Sequence, residues 1–425
     1  MLVLLALFQI AVQDSLPSIT LAETRSRAVR LDPRYIAATG EVDNAQWTRR
    51  AAFSALALPS LFVSTDATRY SAEIFNIGTG RPQSTAVNAR IDARYDFSLG
   101  GRQLADLSRS RASVEAARAG ELQARFDAEL DAESDYYAVL ADQELTRVAR
   151  ERVRRADEAL VIARARVASG AAVQSDSLQL RLELNRARVA LLRQDAALRV
   201  SRLQLGRRVG MDGALDAQPL DTLPAPELPL SLDQAVTAAF ESGPAIQTAR
   251  ANESAADAAF RSQRGSYLPT LSLSAASAAF DDTFFPEGTS RSSLTLSLSF
   301  PIWNGGQREL AVSEARVGRD ITRATRLDLE RATRRDVTEL YDEYGTARAA
   351  TELAVEGVLV ARENFRVQDR RYRAGAASIL DLLEGQLRLA EAEAELVQSR
   401  YSTRLALAQL ERLLGRRLFE SEGGR

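Results

Sequence analysis

Two periodicities alternate along the chain, and they do so twice. From Val87 to Leu99 the side chains change character at every residue. Val87, Ala89, Ile91, Ala93, Tyr95, Phe97 and Leu99 fall on one side, and Asn88, Arg90, Asp92, Arg94, Asp96 and Ser98 on the other. Leu294, Leu296, Leu298 and Phe300 alternate in the same way with Ser293, Thr295, Ser297 and Ser299. Leu271, Leu273 and Ala275 against Ser272 and Ser274 mark a third segment, and Leu61 with Val63 a weaker fourth. A period of two is that of a strand with one apolar and one polar face. The pattern predicts strands over about 58–66, 86–99, 267–280 and 291–301.

Elsewhere the period is that of a helix. Short helices precede each strand pair, running to about Ala57 and Gly265. Ser231 with Gln234, and Thr20 with Glu23, offer capping boxes at their starts. After each strand pair comes a stretch without proline and nearly without glycine, from about Arg102 to Ala168 and from about Gln307 to Ala374. Each predicts a rod of roughly 100 Å at ~1.5 Å per residue. Gly170 and Gly375 then stand where a left-handed helix cap is expected, and a shorter helix returns to about Gly210 and Gly415. Antiparallel helices of this length, alanine-rich along the seam, pack as coiled coils.

The two passes are one unit written twice. Gly100-Gly101 recurs as Gly305-Gly306, a shift of 205. The same shift carries Tyr136 to Tyr341, Gly170 to Gly375, Asp176 to Asp381, Leu178 to Leu383 and Gly210 to Gly415. Upstream it grows slightly, so that Pro59 pairs with Pro269. The predicted organisation is a first repeat over 14–210 with its helical hairpin at about 102–208, and a linker over 211–229. A second repeat follows over 230–425 with its hairpin at about 307–415. The expected fold class is mainly α with a small β part: a β-hairpin joined to a long antiparallel helical hairpin, duplicated.

Composition narrows the chemistry. There is no Cys and no His, which removes zinc sites, thiol nucleophiles, disulfides and imidazole acid–base work. The 57 acidic residues are spread through the helical repeats and offer no focused catalytic pair, so no enzyme activity, cofactor or metal is expected. A formal net charge of −2 provides no cation excess for nucleic acid. Residues 2–12 are almost wholly apolar and suit the core of a secretory signal over 1–13, with Ala11-Val12-Gln13 as the best cleavage site. No later window holds the roughly 18 apolar residues of a membrane-spanning helix, so a membrane could be crossed only by strands.

The alternation itself fits two settings. A soluble sandwich strand alternates in this way. So does a barrel strand in lipid, apolar outward and polar inward, with aromatics at the interfaces. Arg90 and Arg94 suit a wet lumen, and Tyr95, Phe97, Tyr267, Phe300 and Trp303 lie near strand ends as a girdle would. Four strands cannot close alone, and open edges are not tolerated in hydrocarbon. Membrane strands therefore imply an oligomer.

Particular positions carry candidate roles. Pro301 cannot extend a strand ladder, while Gly100, Gly101, Gly305 and Gly306 permit unusual dihedrals, so these residues suit the strand-to-helix transition. Asp381 and Glu384, three apart, share a helix face; copies around an axis would repel one another and attract cations. A solvated helix face is the competing account. Only the second repeat carries both acids, because Gln179 stands opposite Glu384.

The chain resembles the TolC-like outer-membrane efflux proteins over nearly its whole length. The segments that carry the resemblance are Tyr267-Leu-Pro-Thr-Leu-Ser-Leu-Ser, Leu296-Ser-Leu-Ser-Phe-Pro-Ile-Trp-Asn-Gly-Gly306 and Arg371-Tyr-Arg-Ala-Gly-Ala-Ala-Ser-Ile-Leu-Asp-Leu-Leu-Glu384. The resemblance implies a homotrimer whose twelve strands form one outer-membrane β-barrel and whose twelve helices form a periplasmic α-helical barrel. It implies a passive exit duct of a tripartite efflux or type I secretion system, meeting outer-membrane lipid, a periplasmic adaptor and an inner-membrane pump. Gly170 and Gly375 then match adaptor-docking tips, and Asp381 and Glu384 the acidic ring of the closed entrance. Asp176 and Tyr372 match a latch between hairpins. The family's latch arginine has Ala377 at its position, leaving Arg373 or Arg371 as substitutes. A periplasmic coiled-coil adaptor or scaffold is the alternative, disfavoured by the duplicated strand-then-helix order.

Overall fold

The computed structural model describes residues 16–77, 80–220, 226–281 and 290–419; the apolar run at 1–13, read as a signal, lies outside them. Both copies lay down two short helices, a strand pair and a helical hairpin in the same order; two further strands of two residues each, Ser18–Ile19 and Asp216–Ala217, the latter in the linker, have no counterparts in the second. The first holds β1 (Ser18–Ile19), α1 (Leu21–Leu31), α2 (Pro33–Ala57), β2 (Ser60–Asn76), β3 (Arg81–Ser98), α3 (Arg102–Ala168), α4 (Gln174–Arg208) and β4 (Asp216–Ala217). The second holds α5 (Leu232–Ser242), α6 (Pro244–Arg264), β5 (Thr270–Asp281), β6 (Ser290–Ser299), α7 (Gln307–Arg373) and α8 (Ile379–Leu414). The long helices α3 and α7 have 67 residues each, and the returning α4 and α8 have 35 and 36.

Helix starts follow the side chains available. Ser231 and Gln234 form the full capping box at α5. At α1 only half of it forms: the Glu23 N–H donates to the Thr20 hydroxyl, while the Glu23 carboxylate pairs with Arg27 at 2.6 Å. An ion pair one turn along competes with the backward reach to the cap.

Compact units do not follow the repeats, for each takes segments from both copies. One comprises residues 1–37, 122–243 and 333–425, and the other 38–121 and 244–332. The second unit contains an antiparallel sheet in the order β2-β3-β5-β6. Its first two strands run well past the alternation seen in the sequence. Between Arg69 and Ile74 the β2–β3 register shifts, and such an irregularity exchanges the faces on which side chains lie. The two-residue period is lost there although the strand continues. Conversely, Gly265–Tyr267 forms a single 3₁₀ turn, so the third strand begins only at Thr270.

The first unit is held by separate apolar clusters along its helices. In one, Tyr136, Tyr137, Leu140, Leu198 and Leu205 pack with Ile19, Leu215 and Ala217 from the small parallel β1–β4 pair. The buried Tyr136 hydroxyl is satisfied by donating to the Gln218 carbonyl at 2.6 Å. Burying each such side chain contributes roughly 1.5–3 kcal/mol. A second cluster joins Ala235, Val236 and Ala239 of α5 to Val337, Leu410 and Leu414. A third gathers all four helix ends at the hairpin tips.

Candidate functional site

The sheet presents one apolar face, in register through all four strands. Residues directly opposite in an antiparallel ladder lie on the same face. Leu61–Ala93–Ala275–Leu294 is one such row, Tyr95–Leu273–Leu296 the next and Phe97–Leu271–Leu298 another. The opposite face carries Asp92–Ala276–Ser293, Arg94–Ser274–Thr295 and Asp96–Ser272–Ser297. On that polar face Arg90 pairs with Asp92 at 2.6 Å and Arg94 with Asp96 at 3.0 Å, and Ser272 donates to Asp96 at 2.5 Å. Most of the apolar face is bare, with Val63 79% and Leu294 74% exposed, although Val87 in the first half of β3 is buried. A soluble sandwich would cover such a face, whereas lipid leaves it uncovered by protein.

Among the described residues, β2 and β6 each pair on one side only, so the sheet has two open edges. Tyr95, expected in an aromatic girdle, donates its hydroxyl to the Leu56 carbonyl at 2.6 Å. Trp303 and Phe300 are exposed just beyond β6.

At the strand-to-helix transition the matched glycines do different jobs. Gly100 lies so close to Gly265 that a Cβ on it would stand 2.1 Å from the Gly265 carbonyl oxygen; close backbone approach requires glycine there. Gly305, its repeat partner, has open space but a φ of 70°, and Gly101 and Gly306 have φ of 68° and 80°. The turn is stapled by a residue that the sequence reading missed. Gln103 donates to the Asp96 carbonyl at 2.6 Å and accepts from the Ser98 N–H at 3.1 Å. One repeat later, 103 plus 205 is Arg308, which donates to the Pro301 carbonyl at 3.0 Å and stacks 4.2 Å over the Tyr267 ring. Asp96 and Pro301 are themselves repeat partners. A search for side chains preserved in position, rather than in type, would have found the pair.

At the tips, Gly170 and Gly375 adopt φ of 75° and 78°, and the N–H of the next residue returns to the Arg166 and Arg371 carbonyls at 2.8 Å in both cases. These are Schellman-type ends. Tyr372 is 1% exposed and packs with Leu160, Leu180, Leu184 and Leu382 from both hairpins. Its hydroxyl has no hydrogen-bond partner among the described residues. Burial raises its pKa, and the Asp176 carboxylate pushes it further the same way.

Of the sequence-predicted tip residues, Asp176 and Tyr372 come together, and Arg373 does not join them. Arg373 pairs instead with Asp369 at 2.8 Å on its own helix. Arg371 donates to the Ala376 carbonyl at 3.2 Å within its own turn. Asp381 and Glu384 are both exposed. Asp381 closes a capping box on Ser378, accepting its N–H at 2.9 Å and its hydroxyl at 2.8 Å. Those bonds, the backbone one foremost, hold the Asp381 carboxyl below the usual range and therefore ionised. Glu384 lies 3.8 Å from Arg388, one turn on. Asp176 has no such cap, because Val173 stands where the second copy has Ser378.

A duplicated strand pair with a largely bare apolar face, feeding helical hairpins of this length, defines an outer-membrane channel fold. A family model for outer membrane efflux proteins matches residues 19–211 and 235–416, one segment per repeat, and the chain belongs to that family. Family membership assigns it to the outer membrane, and not to the periplasmic adaptors that were the alternative reading. Among relatives, the protein CyaE of Bordetella pertussis is 32% identical over 193 residues, 44% of this chain and 40% of that one. The probable efflux pump outer membrane protein TtgC of Pseudomonas putida is 25% identical over 297 residues, 68% of this chain and 60% of the relative. The aligned stretches thus span less than two thirds of either relative. The crystal structure of the outer membrane protein VceC from Vibrio cholerae shares the fold with a TM-score of 0.80 at 18% identity, covering 94% of this chain and 97% of that one.

Proposed function

We propose that the chain is one subunit of a homotrimeric outer-membrane channel, the passive exit duct of a tripartite efflux or type I secretion system. The observation that carries this is the four-stranded sheet with an in-register, largely uncovered apolar face and two open edges. In hydrocarbon an unpaired edge leaves backbone groups unsatisfied, each costing several kcal/mol, so β2 and β6 must meet other copies. Three chains give twelve strands in one closed barrel, with the arginines and carboxylates of the polar face lining water. Their long helices form the periplasmic tunnel.

The duct opens at the tips, where Gly170 and Gly375 form the turns that a periplasmic adaptor engages. An inner-membrane pump supplies the energy. Asp381 and Glu384 form the acidic ring at the entrance, the cap favouring the charged form of Asp381. Asp176 and Tyr372 belong to the latch between hairpins; Arg373 joins it only on leaving Asp369.

Planar-bilayer recording of the purified protein tests the reading in one measurement. Discrete cation-preferring channels are expected, with Asp381→Asn plus Glu384→Gln lowering the cation preference. A protein that gives no channels and is released from membranes by carbonate is not a barrel. Unchanged selectivity in the double variant removes those two residues from the entrance.

A further inference from the structure

The second hairpin lacks the arginine expected at position 377, and the two nearby candidates are occupied within their own helix or turn. The cation comes from the other hairpin. Arg166, in the last turn of α3, places its guanidinium carbon 4.8 Å from the centre of the Tyr372 ring. Its Nη1 donates to the Tyr372 carbonyl in the last turn of α7, and its Nη2 donates to the Ala171 carbonyl at 3.3 Å. Its Nη2 also lies beside Gly375, in van der Waals reach of where a Cβ would stand. Arg166 has no carboxylate partner among the described residues.

We infer that Arg166 is the residue that latches the second hairpin tip to the first. Its chemistry differs from that of an ion pair. Both α3 and α7 end at the tips, so two helix C-termini, each carrying partial negative charge, converge. One guanidinium donates to a carbonyl in the last turn of α7 and to another in the turn that follows α3, and lies over the aromatic face of Tyr372. Withdrawing it leaves two like-signed helix ends side by side with no donor between them, and separation of the hairpins relieves that. The repeat provides the control. Arg371 is the repeat partner of Arg166 and makes the same bond to its own turn, from Nη2 to Ala376, with no hydrogen bond or ion pair to the other hairpin among the described residues.

This inference rests on the channel reading for its functional consequence, and the experiment separates the two. The chain has no Cys, so spin labels at Ser169→Cys and Ala374→Cys, repeat-equivalent and exposed, report the separation of the tips directly. Arg166→Ala is expected to lengthen and broaden that distance and to raise closed-state conductance severalfold in planar bilayers. Arg371→Ala should do neither. Arg166→Lys, which keeps the charge but not the planar fork, should fall between wild type and Arg166→Ala. An unchanged distance in Arg166→Ala overturns the latch whatever the conductance. An effect of equal size in Arg371→Ala overturns it too, since the role would then be helix capping alone. Wild-type protein that forms no channel, yet whose tips part in Arg166→Ala, refutes the channel reading and leaves the latch standing.

Discussion

The polarity of the sheet can be tested at two adjacent alanines. Ala275 and Ala276 are the sixth and seventh of the 12 residues of β5, and so sit at its middle. Ala275 lies in the apolar row between Ala93 and Leu294, and Ala276 in the polar row between Asp92 and Ser293. A strand of this length extends roughly 40 Å. Tilted by 35–45° it stands about 30 Å high, close to the ~25 Å apolar band of an outer-membrane barrel, so its middle residues lie near the bilayer midplane. An arginine at the lipid-facing midplane costs about 2–4 kcal/mol per chain. Ala276→Arg introduces the same side chain into the polar face, directly across from Asp92, where an opposite-charge pair contributes ~0.2–1 kcal/mol. The two variants should therefore differ by about 2–5 kcal/mol per chain, the sum of those ranges. Guanidinium titration of protein folded into lipid vesicles reads the difference, with Ala275→Arg the less stable. Equal stabilities, or the reverse order, would refute the assignment of faces and with it the barrel.

Gly100→Ala should destabilise the detergent-solubilised protein by about 1–3 kcal/mol, because the added methyl meets rigid backbone rather than a movable side chain. Gly120→Ala, inside α3 with open space around it, should instead gain ~0.5–1 kcal/mol; thermal melts that place both variants with the wild type would contradict the close approach. Arg417 lies within 2.8 Å of Glu133, which is 2% exposed, and bonds Glu129 and Glu411 as well. Arg417→Ala leaves three carboxylates with fewer cations and should cost about 3–5 kcal/mol. The deficit should depend on pH. Burial raises the Glu133 pKa above its ordinary 4.5, against the pull of Arg25 and Arg417, and losing Arg417 raises it further. Between 4.5 and the raised value the folded chain binds a proton that the unfolded chain does not, so stability falls as pH rises through that window. Denaturant titrations at about pH 5 and pH 8 should show the smaller deficit at the lower pH.

Much of the fold was legible because it is written in periods. Strand alternation stands out where the two faces meet different surroundings, as from Val87 to Leu99, and it vanishes past Arg69, where a register shift swaps the faces within one strand. The 67-residue helices are marked by what they lack, proline, and by the glycines that end them. The candidate site was less legible, because its contacts cross between repeats. Arg166 and Tyr372 are 206 residues apart, and nothing local distinguishes Arg166 from any basic residue in a last helical turn. The local signal at Asp381 was present but open to another reading. Ser378-Ile-Leu-Asp381 is a capping-box pattern, and the structure uses it as one. Capping and an entrance role are compatible, since the cap leaves the carboxylate exposed and favours its charged form.

The duplication also shows where one chain falls short. On α3 the heptad positions Ala105, Ala112 and Ala119 are buried, Ala112 at 3%, on the helix whose Asp106 accepts a hydrogen bond from Ser262 of α6. Adding 205 gives Leu310, Val317 and Ala324 on α7. All three are exposed, Leu310 at 59% and Val317 at 54%, and those two are larger and more apolar than the alanines they replace. Gly100 likewise meets Gly265, while Gly305 meets nothing within 4 Å. These two contacts near the first copy's strand-to-helix junction thus have equivalent positions in the second copy that a single chain leaves uncovered. A larger side chain on a bare helix face raises the gain from covering it, at ~25 cal/mol per Å². In the proposed trimer a neighbouring copy would cover both: its β2 would continue the ladder at β6, and its α2, the repeat counterpart of α6, would pack against α7. Closure of the barrel and closure of the helical wall would then be a single event, since among the described residues neither surface is covered by this chain itself.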